Sequence, residues 1–105
     1  MVDQIADKLC ATHMLYSGAP SSRQKDLVDL VVFATTHDVR GLTLRVAIES
    51  EARRRKLERL DRVQLPDTWG REYTKMAKKV PHCDGFIDIG SARRLMEVFL
   101  DPVLQ

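Results

Sequence analysis

Apolar positions recur every three to four residues in five separate stretches of the chain, the spacing that lines one face of a helix. The first stretch predicts a helix from about Asp3 to Tyr16, with Ile5, Leu9, Thr12 and Tyr16 on one stripe. Gly18 just past its end suits a left-handed stop, and Pro20 keeps the helix from resuming. The second helix starts at "SSRQ", where Ser21 and Gln24 match a capping box. Its stripe is Leu27, Leu30, Val31 and Ala34. A third helix is predicted from about Leu42 to Leu57, carrying Leu44, Val46, Ala47, Ile48 and Ala52. The segment "LDRVQLPDTWG" reads as extended around Val63 and Leu65, with Pro66 as a boundary. Asp67 or Thr68 would cap a fourth helix through Lys79, with Trp69, Tyr73, Met76, Ala77 and Val80 inside. "VPHCDGFIDIG" reads as a loop. Ser91 would cap the last helix, bearing Leu95, Met96, Phe99 and Leu100 and stopped at Asp101-Pro102. The pattern predicts an all-α fold, a compact bundle of about five helices in one domain spanning residues 1–105.

Charged residues interrupt these stripes in a selective way. On a wheel of about 100° per residue, Asp26 falls inside the apolar arc of the second helix, between Phe33 and Leu30. Asp29 lies beside Lys25 in the polar gap, where water would reach it. On the first helix, Lys8 sits between Leu15 and Ile5 while Asp7 faces the polar side. The short connection "SGAPSS" favours antiparallel neighbours, which would separate Lys8 from Asp26 along the axis. A direct bridge needs a large crossing angle, and the pattern leaves that open. Ordinary roles exist for both residues. An aspartate in a first turn gains about 0.3–1 kcal/mol from the helix dipole, and a lysine at an apolar edge usually keeps its ammonium in water.

Composition adds limits more than it adds identity. The 105 residues hold 17 basic and 15 acidic side chains, a net charge of +2 that names no partner. No run of eighteen apolar residues could span a membrane, and "MVDQIADKLCAT" lacks the apolar core of a signal peptide. A cytoplasmic location and no membrane partner are expected. Two cysteines, Cys10 and Cys83, suit free thiols in a reducing compartment. His13, His37 and His82 show no zinc-like spacing with them. The basic run "EARRRKLER" could follow a phosphate backbone, although a solvated helix end favoured by the dipole looks the same. Trp69 and Tyr73, one turn apart, fit core anchors better than a base-stacking platform.

"DQIADKLCAT" followed by "PSSRQKDLVDLVVFA" closely resembles two adjacent motifs of the AbiEii-type nucleotidyltransferase toxins, which belong to type IV toxin–antitoxin and abortive-infection systems. There an "xDK" helix precedes a helix opening with R-x-K/R-D, two hydrophobic residues and D-L. The likeness continues more loosely through "LPDTWGREY" and "FLDPVL". By that resemblance Lys8 would contact the phosphates of a nucleoside triphosphate, and Asp26 would orient that lysine or take a proton. Arg23, Lys25 and Asp29 are weaker candidates for substrate binding. The family's core carries a glycine loop and paired acidic residues that hold Mg²⁺; this chain shows neither, and no metal ligand is assigned to it. It resembles the C-terminal helical lobe alone. The expected function is a share in nucleotidyl transfer onto an RNA acceptor, tRNA first among candidates, with the lobe inactive by itself. The implied partners are a separate nucleotidyltransferase half, a cognate antitoxin and tRNA. The alternative is a non-enzymatic helical module that binds RNA or protein, or a degenerate toxin remnant.

Overall fold

Five helices account for most of the chain in the computed structural model, which describes residues 2–13, 15–16, 19–20, 24–36, 41–57, 62–65 and 67–104. They are α1 (Val2–Thr12), α2 (Gln24–Thr36), α3 (Gly41–Arg54), α4 (Gly70–Ala77) and α5 (Ile89–Leu104). Short 3-10 turns at Asp67–Trp69 and Pro81–Cys83 precede α4 and follow it. The extents are 35 × 33 × 19 Å, about two helix diameters thick along the shortest axis. Helix α1 packs on both α2 and α3, α2 packs on α4 and α5, and α3 packs on α5. The core lies where these faces meet, with Leu9, Leu27, Leu30, Val31, Leu44, Ile48, Trp69, Tyr73, Met96 and Leu100 buried.

Helix ends differ from the periodicity for physical reasons. Helix α1 stops at Thr12, not at Tyr16. The Thr12 hydroxyl donates to the Leu9 carbonyl at 2.6 Å, and His13 Nδ1 lies 2.9 Å from the same oxygen. Side chains therefore occupy an acceptor that the next helical amide would need. Beyond it, Leu15–Tyr16 and Ala19–Pro20 form a two-residue antiparallel pair, β1 and β2, with Leu15 opposite Pro20. The proposed Ser21 cap and Gly18 stop lie outside the described residues. The Leu27, Leu30 and Val31 stripe is buried, and Ala34 is half-buried at its end.

Helix α3 ends at Arg54, where Lys56 takes a positive φ of 56°. The Leu57 amide bonds to the Ala52 carbonyl at 2.9 Å and the Lys56 amide to Arg53 at 3.1 Å. That is the left-handed stop that closes the last carbonyls of a helix, reached here without glycine. Of the predicted α3 positions, Leu44, Ile48 and Ala52 are buried, while Val46 is 58% exposed. The stretch Arg62–Leu65 belongs to no helix and pairs with no strand among the described residues, and its Val63 and Leu65 are buried. Its amides are held by side chains: Val63 N–H by Asp101 Oδ1 at 2.8 Å and Gln64 N–H by His13 Nε2 at 2.9 Å.

The fourth helix is shorter than predicted, running from Gly70 to Ala77. A Cβ at Gly70 would stand 3.3 Å from Ile89 Cγ2, so the close seat of α4 against α5 is shaped for glycine. The loop after α4 contains the Pro81–Cys83 turn, and the Tyr73 hydroxyl donates to the Phe86 carbonyl at 2.6 Å. Helix α5 begins three residues earlier than predicted. Asp88, not Ser91, is its cap: Asp88 Oδ2 accepts the Ser91 amide at 3.0 Å, and the Ser91 hydroxyl reaches back to Asp88 Oδ1 at 2.7 Å. The helix also continues through Pro102 to Leu104. Pro102 deprives only the Val98 carbonyl of a donor, and Val98 is 73% exposed, where water can serve.

Candidate functional site

Lys8 rises from the middle of α1 toward the first two turns of α2. Asp26 and Asp29 are three residues apart on α2, so both point from one side of that helix. The Lys8 ammonium lies 2.7 Å from Asp29 Oδ2 and 3.5 Å from Asp26 Oδ1. Lys25, one turn before Asp29, reaches the same Asp29 oxygen at 3.2 Å. The bridge that the periodicity left open is therefore made, and Lys8 spans both carboxylates.

Burial ranks the group. The Asp26 side chain is 8% exposed, Lys8 23% and Asp29 27%. Asp26 sits on the packing face, as its wheel position implied. Asp29 does not have the water-facing position expected of it. It is half-covered and is the nearer partner of Lys8, because the lysine lies across the edge of α2 and reaches the polar margin before the apolar centre. Lys25 stays exposed. Arg23 lies outside the described residues.

The charges hold one another in their ionised forms. Burial works against the Lys8 ammonium, yet the hydrogen bond and charge of Asp29, with Asp26 behind them, keep its pKa above the ordinary lysine value. Burial likewise opposes the Asp29 carboxylate, and hydrogen bonds from Lys8 and Lys25 outweigh it, so its pKa falls below the usual range. Cys83 packs beside this edge of α2; burial first and the Asp29 charge second push its thiol pKa up. Asp7, the residue before Lys8, meets Arg55, which also bonds Glu51 at 2.8 Å. That link ties α1 to the end of α3 next to Lys8. Sequence reading missed it, because 48 residues separate the partners. Cys10 and Cys83 are both free and buried, and burial raises the Cys10 pKa to about 11.

The donor set does not suit a resident magnesium ion. Magnesium wants several hard oxygens free to face it, whereas the two carboxylates at this site face an ammonium at 2.7 and 3.5 Å. No cluster of three or more His, Cys, Asp or Glu among the described residues is placed to hold a metal ion. The arrangement can instead present one compact cation, held in place by two anions, at the edge of a helix pair.

A family model described as "Nucleotidyl transferase AbiEii toxin, Type IV TA system" matches residues 2–85. The chain belongs to the AbiEii toxin family. The matched stretch contains the whole Lys8, Asp26 and Asp29 cluster and ends before α5, so the "FLDPVL" segment lies outside it. Membership of a type IV toxin–antitoxin family implies a cognate antitoxin. No curated protein and no solved structure gave a match. Among the described residues, no helix is long and apolar enough to cross a membrane.

Proposed function

We propose that this chain supplies the phosphate-contacting cation of an NTP-dependent nucleotidyl transfer onto an RNA acceptor, tRNA by preference, in the cytoplasm. Lys8 is the cation. Asp26 and Asp29 position it, and Asp26, the more buried of the two, is the group to take the proton that the attacking RNA hydroxyl gives up. Lys25, exposed beside Asp29, is a weaker phosphate contact, and Arg23, outside the described residues, is a second candidate by its place in the motif. The observation that carries this reading is the geometry of Lys8, an ammonium pinned between two carboxylates inside the family-matched stretch and still 23% exposed. A lysine that only packs at an apolar edge keeps its ammonium in water, whereas this one is set between two acceptors on a neighbouring helix.

The metal that nucleotidyl transfer uses to neutralise the attacked phosphate is assigned to residues other than those described here. The partner polypeptide is the nucleotidyltransferase half that would hold it. An NMR titration of the chain with a nucleoside triphosphate tests the reading. The amides of Lys8, Asp26 and Asp29 should shift together, and Lys8→Met should abolish the response while the rest of the spectrum stays dispersed. Shifts scattered over the surface, or a response unchanged in Lys8→Met, would refute it. The competing reading is a non-enzymatic helical module in which the same ion cluster only joins α1 to α2. The close 2.7 Å contact is what favours it, and it gives no nucleotide response at all.

A further inference from the structure

A second feature lies on α3, where it meets the end of α5. A groove of about 410 Å³ has Ile48, Ala52, Leu57 and, from α5, Leu104 as its floor. Arg45, Glu49 and Arg53 stand along its rim. The left-handed turn at Lys56 swings Leu57 back toward Ala52 and fixes it there through the amide bond to the Ala52 carbonyl. The floor is thus a built surface rather than a gap between loose side chains.

The apolar character does not stop at the groove. Leu42 is 77% exposed and Val46 58% exposed, and on the α3 wheel both fall on the same flank as Glu49 and Arg53. From Leu42 to Arg53 the flank runs about 16 Å, or three turns. An incoming helix of similar length could lay residues at i, i+4 and i+7 along it.

Charge narrows the occupant. Arg45 pairs with Glu49, Arg54 with Glu51, and Arg55 with Glu51 and Asp7. Arg53 and Lys56 make no ion pair among the described residues, and both are exposed. An acidic partner would satisfy them. Nucleic acid fits less well: phosphates would meet Arg53 and Lys56 but would lose hydration against the apolar Leu42 and Val46 without a compensating partner. Base stacking needs aromatic platforms, yet no aromatic side chain lines the groove, and Trp69 and Tyr73 are buried.

We propose that this flank of α3 docks an amphipathic helix of a partner protein, with leucine-class side chains on the groove floor and carboxylates against Arg53 and Lys56. The proposal is independent of the Lys8 reading. Fluorescence anisotropy with two labelled helical peptides of about 15 residues tests it. One carries leucines at i, i+4 and i+7 flanked by glutamates; the other has lysines in place of the glutamates. The chain should bind the acidic peptide about tenfold more tightly at low salt. The double variant Arg53→Glu, Lys56→Glu should lose that preference, with its fold checked by circular dichroism. Val46→Asp should weaken both peptides. Equal binding of the two peptides, binding of neither, or displacement of the acidic peptide by tRNA through Arg53 and Lys56 would overturn the proposal.

Discussion

Replacing Lys8 by methionine removes the ammonium while keeping most of the side chain's length and apolar stem. It leaves Asp26, with its side chain 8% exposed, facing a carboxylate three residues away without the cation between them. Removing one partner of a fully buried pair costs about 3–5 kcal/mol. That figure must be reduced here, because Lys8 and Asp29 are 23% and 27% exposed and Lys25 still holds Asp29 at 3.2 Å. A loss of about 1–2 kcal/mol is the reasonable magnitude. For a domain of this size, that lowers the melting temperature by about 5–9 °C. The assay is thermal denaturation followed by far-UV circular dichroism at neutral pH and low salt. Adding Asp29→Asn to Lys8→Met should recover part of the loss, since the second change removes a like charge from beside Asp26. A Lys8→Met melt equal to or above the parent's, or a double variant worse than the sum of the single ones, would refute the reasoning.

Further expectations follow from other contacts. His13 accepts the Gln64 amide through Nε2 and has a pKa lowered by burial; the unfolded chain therefore takes the proton first. Stability should fall as pH drops below about 6.5 and level off beneath the folded value, and His13→Asn should flatten that step in melts recorded across pH. Tyr73→Phe deletes the 2.6 Å bond to the Phe86 carbonyl and should cost about 1 kcal/mol in urea denaturation. Leu30→Ala, at a fully buried α2 position, should cost about 2–5 kcal/mol by the same measurement. Incubation of the isolated chain with labelled nucleoside triphosphates, magnesium and total tRNA should give no labelled RNA, and robust labelling would place the catalytic centre within it.

Where local periodicity was enough, the fold was legible. The α2 stripe of Leu27, Leu30 and Val31, the anchors Trp69 and Tyr73, and the buried Val63 and Leu65 all follow from spacing and residue type. The failures occur where distant residues decide a local outcome. Helix α1 stops early because Thr12 and His13 cap Leu9, and His13 is in turn engaged by Gln64, 51 residues on. Pro102 does not end α5, because it deprives only the carbonyl of Val98, a residue 73% exposed. Asp88 took the capping role from Ser91 because it precedes the first turn, whereas Ser91 lies inside it and bonds back.

The site was legible to a similar degree. The wheel singled out Lys8 and Asp26 as intrusions on apolar faces, and both lie at the α1–α2 contact. The wheel misjudged Asp29, since a single-helix projection omits the neighbouring helix from which Lys8 reaches. It also gave no sign of the Arg55–Asp7 link, which depends on where α3 ends relative to α1.

The central claim is that Lys8 acts on phosphate rather than merely joining two helices. Transfer of labelled nucleotide to tRNA by a polypeptide that unites this chain with a nucleotidyltransferase core measures it most directly, comparing the parent with Lys8→Met at a temperature where both are folded. The account predicts a loss of about a hundredfold or more in rate, the scale of losing one charge that stabilises the transition state. A folded Lys8→Met protein that transfers nucleotide at the parent's rate would contradict it.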